Sequence, residues 1–174
     1  MSQENILVIK LGALGDFVYA IGPMQAIKKH HKTAKITLLT RLSFADLGYK
    51  TKIFDDILID PEPNFWKLKS LYDFRKKINA FQFDRIYDLQ TSDRTGFYYK
   101  LLGPFKRPEW SGIAPGCSHY HHYKRPTLKH TQDRHREQLA LAGINEVLHP
   151  DLSFMEGETK SFGLPPNYAL IVPG

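Results

Sequence analysis

The 174-residue sequence holds a single cysteine, Cys117, so it has no internal disulfide and no Cys-x-x-Cys pair to seat a structural zinc. It also lacks any apolar run near the roughly 20 residues that cross a bilayer as a helix. Its start, Met1-Ser-Gln-Glu-Asn5 followed at once by Ile-Leu-Val-Ile, has neither the basic opening nor the small-residue cleavage site of a secretory signal. A cytoplasmic location is therefore expected. Helix-turn-helix, zinc-finger and RNP signatures are missing, so a nucleic-acid partner is not expected despite the net charge of +6. His119, His121 and His122 lie close together, but their spacing fits no structural zinc pattern, and no metal is expected. Nor is there a Gly-x-Gly-x-x-Gly fingerprint or a Gly-Lys-Ser/Thr loop ending, which removes the two commonest nucleotide-binding turns.

What is present is a soluble, globular composition, 42% hydrophobic and 24% charged, with strands and helices in alternation. Ile6 to Lys10 reads as a buried parallel strand, and Phe17, Ala20, Ile21, Met24 and Ile27 recur at helical spacing after it. Ile36 to Thr40, Asp56 to Asp60, Arg85 to Leu89 and Pro108 to Ile113 are four more strand candidates. Helices are expected from Ser43, as N-cap, to Tyr49, around the stripe Leu71, Phe74, Ile78 and Phe81, from Asp93 to Leu102, and from Thr131 to Ala142 with Gly143 closing it. Residues 114–129 show no periodicity and read as a long surface loop. The pattern predicts an α/β fold: a Rossmann-like, doubly wound parallel sheet with helices on both faces. Residues 1–150 form that domain; 151–174 read as a linker and a new strand, Tyr168 to Val172, with no partner downstream.

Ligands of open α/β sheets bind beyond the carboxyl ends of the strands, where the segment Lys10-Leu-Gly-Ala-Leu-Gly-Asp16 must lie. Gly12 and Gly15 allow close approach of another molecule to the backbone. Asp16 has two compatible readings, a helix N-cap and a general base.

The stretch from Ile6 through Lys10 and Gly15-Asp16 to Ile27 resembles the opening of glycosyltransferase family 9, the ADP-heptose:lipopolysaccharide heptosyltransferases. Three further segments are similar to that family in the same order: Tyr87-Asp-Leu-Gln90 with Arg94-Thr95, His130-Thr-Gln-Asp-Arg134 running on to Gly143, and Tyr168 to Gly174. The resemblance implies the N-terminal, acceptor-binding domain of a GT-B glycosyltransferase, with the second, nucleotide-sugar domain truncated. It implies an inverting, metal-independent transfer of heptose from ADP-heptose, bound by that other domain without a cofactor, to the anionic lipopolysaccharide inner core. Asp16 would be the catalytic base, and Gly12, Gly15, Arg94, Arg125, His130 and Arg134 would meet the acceptor. For the three described as helix or strand-end cations, Arg94, His130 and Arg134, a purely structural or solvated role stays open. The basic stretch Lys67, Lys69, Arg75, Lys76 and Lys77 offers a peripheral contact with the cytoplasmic face of the inner membrane, or a solvated face. If the natural chain ends at Gly174, a binding-only glycan domain without catalysis is the alternative expectation.

Overall fold

A computed structural model of the chain describes residues 3–63, 67–103, 107–122 and 129–157, with single positions between 162 and 169. Arg125 and most of the strand expected over Tyr168 to Val172 lie outside the described residues. The elements follow one another as β1 (Asn5–Ile9), α1 (Leu14–His30), β2 (Lys35–Thr40), α2 (Leu42–Lys50), β3 (Asp56–Ile59), α3 (Leu68–Ala80), β4 (Arg85–Asp88), α4 (Asp93–Leu101), β5 (Glu109–Gly112), β6 (His119–Tyr120) and α5 (Thr131–Leu141), then a 3-10 turn at Ser153–Met155.

The six strands form one sheet in the order β3-β2-β1-β4-β5-β6. Every pairing is parallel, with Val8 opposite Leu38 on one side and Tyr87 on the other. Strands buried on both faces need apolar residues at successive positions, and β1 supplies Ile6, Leu7, Val8 and Ile9, all nearly inaccessible. Two cores result, one on each face. Phe17, Ile21 and Met24 of α1 and Leu139 of α5 pack on one; Phe74 and Ile78 of α3 with Tyr98, Tyr99 and Trp110 fill the other. The winding is thus the doubly wound Rossmann-like arrangement that the alternation of elements predicts.

Two expectations are corrected. The helix expected from Ser43 begins at Leu42, with Arg41 at the N-cap position and no side-chain cap bond. The loop expected over 114–129 contains β6, whose His119 and Tyr120 pair with Ser111 and Gly112 after a helix-free connection. That connection is turned by Gly116 at φ +83° and by the amide of Cys117 donating to the Ala114 carbonyl at 3.1 Å. Ser118 holds it, its Oγ accepting the Trp110 N–H at 2.7 Å.

Polar side chains also run along the amino edge of the sheet. The His31 ring contacts Glu4 at 2.9 Å and the Tyr87 hydroxyl at 2.8 Å, and Arg85 donates to that hydroxyl at 3.2 Å. Arg85 also pairs with Glu109, which His119 approaches at 3.5 Å.

Candidate functional site

The strand order reverses direction at β1: from it the chain winds outward to β2 and β3, then returns to β4 on the other side. Such a switch point leaves a crevice at the carboxyl ends of the two strands, and two turns meet there, 10–13 after β1 and 89–92 after β4. Side chains lash them together. Gln90 Oε1 accepts the Leu11 N–H at 2.9 Å, and Lys10 Nζ donates to the Leu89 carbonyl at 3.2 Å. Asp88 shapes the second turn, its Oδ1 accepting the N–H groups of Gln90 (3.1 Å) and Thr91 (3.0 Å). Ser92 then caps α4 in a reciprocal capping box with Thr95.

Asp16 stands over this floor, exposed, in the first turn of α1. The N-cap reading is corrected: α1 starts at Leu14, the N-cap position is Ala13, and no side chain caps it. Asp16 therefore sits at the third helical position, where the helix dipole favours a carboxylate but where it makes no capping bond. Its neighbours beneath are charged. Lys10 is 3% exposed; burial lowers its pKa, while the carboxylates of Asp16 and Asp88 pull the other way. Burial pushes the Asp88 carboxyl up to about 6, and burial together with the Lys10 charge pushes His135 down to about 4. His135 approaches the same Leu89 carbonyl through Nε2 at 3.2 Å, which sets the proton on that nitrogen.

The two glycines differ. Gly12 is buried at φ +131°, and a Cβ there would lie 2.6 Å from Cε2 of Phe44, whose ring stacks on Phe17 at 5.6 Å. Gly15 faces open space, with nothing within 4 Å of a Cβ. Gly12→Ala is expected to cost about 2 kcal/mol or more in a urea melt, since the Phe44 ring cannot yield without losing its stack. Gly15→Ala should leave the melt unchanged or improved, because its methyl enters open space. Equal loss of stability in both variants would contradict this division.

The remaining residues expected to meet an acceptor divide into two groups. His130 is the N-cap of α5, its ring accepting the Gln132 N–H and standing edge-on to Tyr19 at 5.1 Å. Arg134 lies one turn further along α5, with Nη2 3.4 Å from Thr91 Oγ1 and its charge felt at Lys10. Both border the crevice on the α1 side. Arg94 is placed elsewhere: on α4, over β3, it donates through Nε to the Tyr98 hydroxyl at 2.7 Å and lies 3.3 Å from the buried carboxylate of Asp60. The Tyr98 hydroxyl also donates to Asp60, at 3.0 Å, which makes the trio a buried tie between β3 and α4. Sequence reading quoted Lys10, Asp88 and Gln90 within their motifs without giving them a role in the site, and it did not single out His135 or Tyr19. A basic or acidic residue ending an apolar strand, as Lys10 and Asp88 do, was the available signal.

Among the described residues no group of three or more His, Cys, Asp or Glu side chains is placed to share a metal ion, and no helix is long and apolar enough to cross a membrane. No protein-family model matches the chain, and no curated protein matches it in sequence. Solved structures do match in fold. A glycosyl transferase family 9 protein from Veillonella parvula superposes with a TM-score of 0.72 at 18% identity, over 94% of this chain and 50% of its own. The E. coli heptosyltransferase WaaC, solved with ADP-2-deoxy-2-fluoro heptose, gives 0.65 at 13% identity, over 86% and 52%. E. coli ADP-heptose lps heptosyltransferase II gives 0.62 at 17%, over 93% and 51%. The chain has the fold of one half of these transferases. It spans about half the length of each.

Proposed function

We propose that the chain is the acceptor-binding half of an inverting, metal-independent heptosyltransferase of glycosyltransferase family 9, moving heptose from ADP-heptose to the lipopolysaccharide inner core. The observation that carries this reading is the position of Asp16: an exposed carboxylate at the switch point of the sheet, over a clamped floor, in a fold shared with heptosyltransferases. Asp16 takes the proton from the acceptor hydroxyl as its oxygen attacks the anomeric carbon of the donor. The bond from that carbon to the diphosphate breaks in the same displacement, which inverts the anomeric centre. ADP leaves as an anion and needs no proton. Positive charge from Lys10 and Arg134 favours an anionic acceptor at this crevice.

On this reading the enzyme works in the cytoplasm beside the inner membrane. The outward face of α3, where Leu68 and Tyr72 are 84% and 64% exposed among Lys69, Arg75 and Lys76, is the surface suited to anionic lipid.

The test is an assay of the complete protein with a panel of nucleotide-sugars and defined core oligosaccharides, with and without EDTA. The expected result is ADP release matched to heptose transfer, insensitive to chelation. Consumption of a different nucleotide-sugar, or transfer abolished by EDTA and restored by metal, would overturn it.

A further inference from the structure

Gly15, Asp16 and Tyr19 share one face of α1, turned away from the buried stripe of Phe17, Ile21 and Met24. Tyr19 keeps 41% of its surface exposed, although the helix around it is packed on both sides. One turn onward the same face is covered: a Cβ on Gly22 would meet the Leu148 carbonyl at 2.6 Å. Behind the tyrosine, Pro23, Arg136, Leu148 and Pro150 enclose only about 10 Å³. The open side of the ring is therefore the side toward Gly15 and Asp16.

His130 fixes the ring from another direction. The two ring planes are perpendicular, with centroids 5.1 Å apart, an edge-to-face arrangement that holds both in place. His130 Nδ1 accepts the Gln132 N–H at 3.3 Å, which puts the ring proton on Nε2. An aromatic corner that carries the His130 Nε2 donor thus stands a single turn from Asp16, with Arg134 one turn further along α5.

We propose that Tyr19 and His130 form a stacking subsite for a sugar ring of the acceptor, beside the hydroxyl that Asp16 deprotonates. The inference rests on the reading of Asp16 as the base of a sugar transfer. A pyranose fits this corner because it has both surfaces the corner can serve. Its C–H face lies on an aromatic ring, and its hydroxyl rim accepts from His130 Nε2 and from Arg134 and donates to Asp16. A lipid chain would offer no hydrogen-bond partner to His130 Nε2 or to Asp16. Asp16 supplies the chemistry, and the corner sets which hydroxyl reaches it.

The test uses the complete protein and a defined inner-core oligosaccharide, measured by isothermal titration and by steady-state transfer. Tyr19→Phe keeps the ring and should change acceptor affinity less than about threefold. Tyr19→Leu keeps bulk without a ring face and should weaken acceptor binding, raise acceptor KM at least fivefold and lower kcat, because the hydroxyl is less well placed over Asp16, with donor KM and melting temperature unchanged. His130→Asn preserves the helix cap while removing the ring, and should act in the same direction. Should Tyr19→Leu fold poorly, the His130→Asn result decides alone. Unchanged oligosaccharide affinity in a folded variant overturns the subsite, as does a loss confined to the nucleotide-sugar. Failure of the unmodified protein to transfer any sugar would count against the function instead, and the titration still reads the subsite.

Discussion

Asp16→Asn in the complete enzyme is expected to reduce kcat at least a hundredfold while leaving folding and nucleotide-sugar binding nearly intact. The size follows from general-base catalysis, which supplies about 10² to 10⁴ in rate, and an amide cannot take the hydroxyl proton. The selectivity follows from placement. Asp16 is exposed and makes no cap bond, so the variant avoids the roughly 1 kcal/mol that removing an N-cap costs and loses its interaction with the helix dipole and its attraction to Lys10. Its shape is conserved above a floor held by Gln90, Lys10 and Asp88, none of which depends on the Asp16 side chain for a hydrogen bond. Stopped assays of ADP release together with a thermal melt provide the check. Near-normal turnover in a folded variant removes Asp16 as the base.

The second large effect is on stability against pH. In the folded chain Asp88 holds its proton up to about pH 6, whereas an ordinary Asp releases it near 3.8. Folding is therefore favoured at acid pH by this group and loses about 3 kcal/mol as pH rises through that interval. His135 acts oppositely. It stays neutral in the fold down to about pH 4, whereas an ordinary His takes a proton below 6.5, so its share of stability is lost as pH falls, again by about 3 kcal/mol. The two slopes offset each other between about pH 4 and 6. Asp88→Asn should uncover the His135 slope, making the protein weaker toward acid; His135→Gln should uncover the Asp88 slope, making it stronger toward acid. Urea midpoints at about pH 4.5 and 6.5 give the comparison. Parallel profiles for the two variants would show that the groups are not coupled to folding in this way.

Period and turn chemistry made most of the architecture legible. The apolar run of β1, the helical recurrence of Phe17, Ile21 and Met24, and Gly143 just beyond α5, at φ +88°, all stand where the residues indicate, within a position or two. β6 was illegible because two residues carry no period; backbone pairing to Ser111 and Gly112 creates it. The cap at Asp16 was misread because the N-cap position lies three residues earlier, at Ala13, which has no side-chain acceptor. Composition also hides where long polar side chains go. Nothing in the run Thr131 to Leu141 distinguishes Arg134, which borders the crevice, from His135 and Gln138, which are buried beneath it. Arg94 was singled out by its place after the Tyr87-Asp-Leu-Gln90 strand end, and its pairing with Asp60, distant in sequence, was not legible there.

The chain of polar contacts along the amino edge, from Glu4 through His31, Tyr87, Arg85 and Glu109 to His119, also bears on how the strands find their alignment. A strand such as Ile6-Leu-Val-Ile9, apolar at every position, buries as much surface after slipping by one residue as before. Hydrophobicity alone leaves its register degenerate. The edge contacts lift that degeneracy, because a slip of β4 or β5 by one position would carry Tyr87 or Glu109 away from its partner and leave ionised groups half-buried and unmatched. The amino edge of this sheet thus acts as an alignment key, which frees the residues at the opposite edge to answer to chemistry.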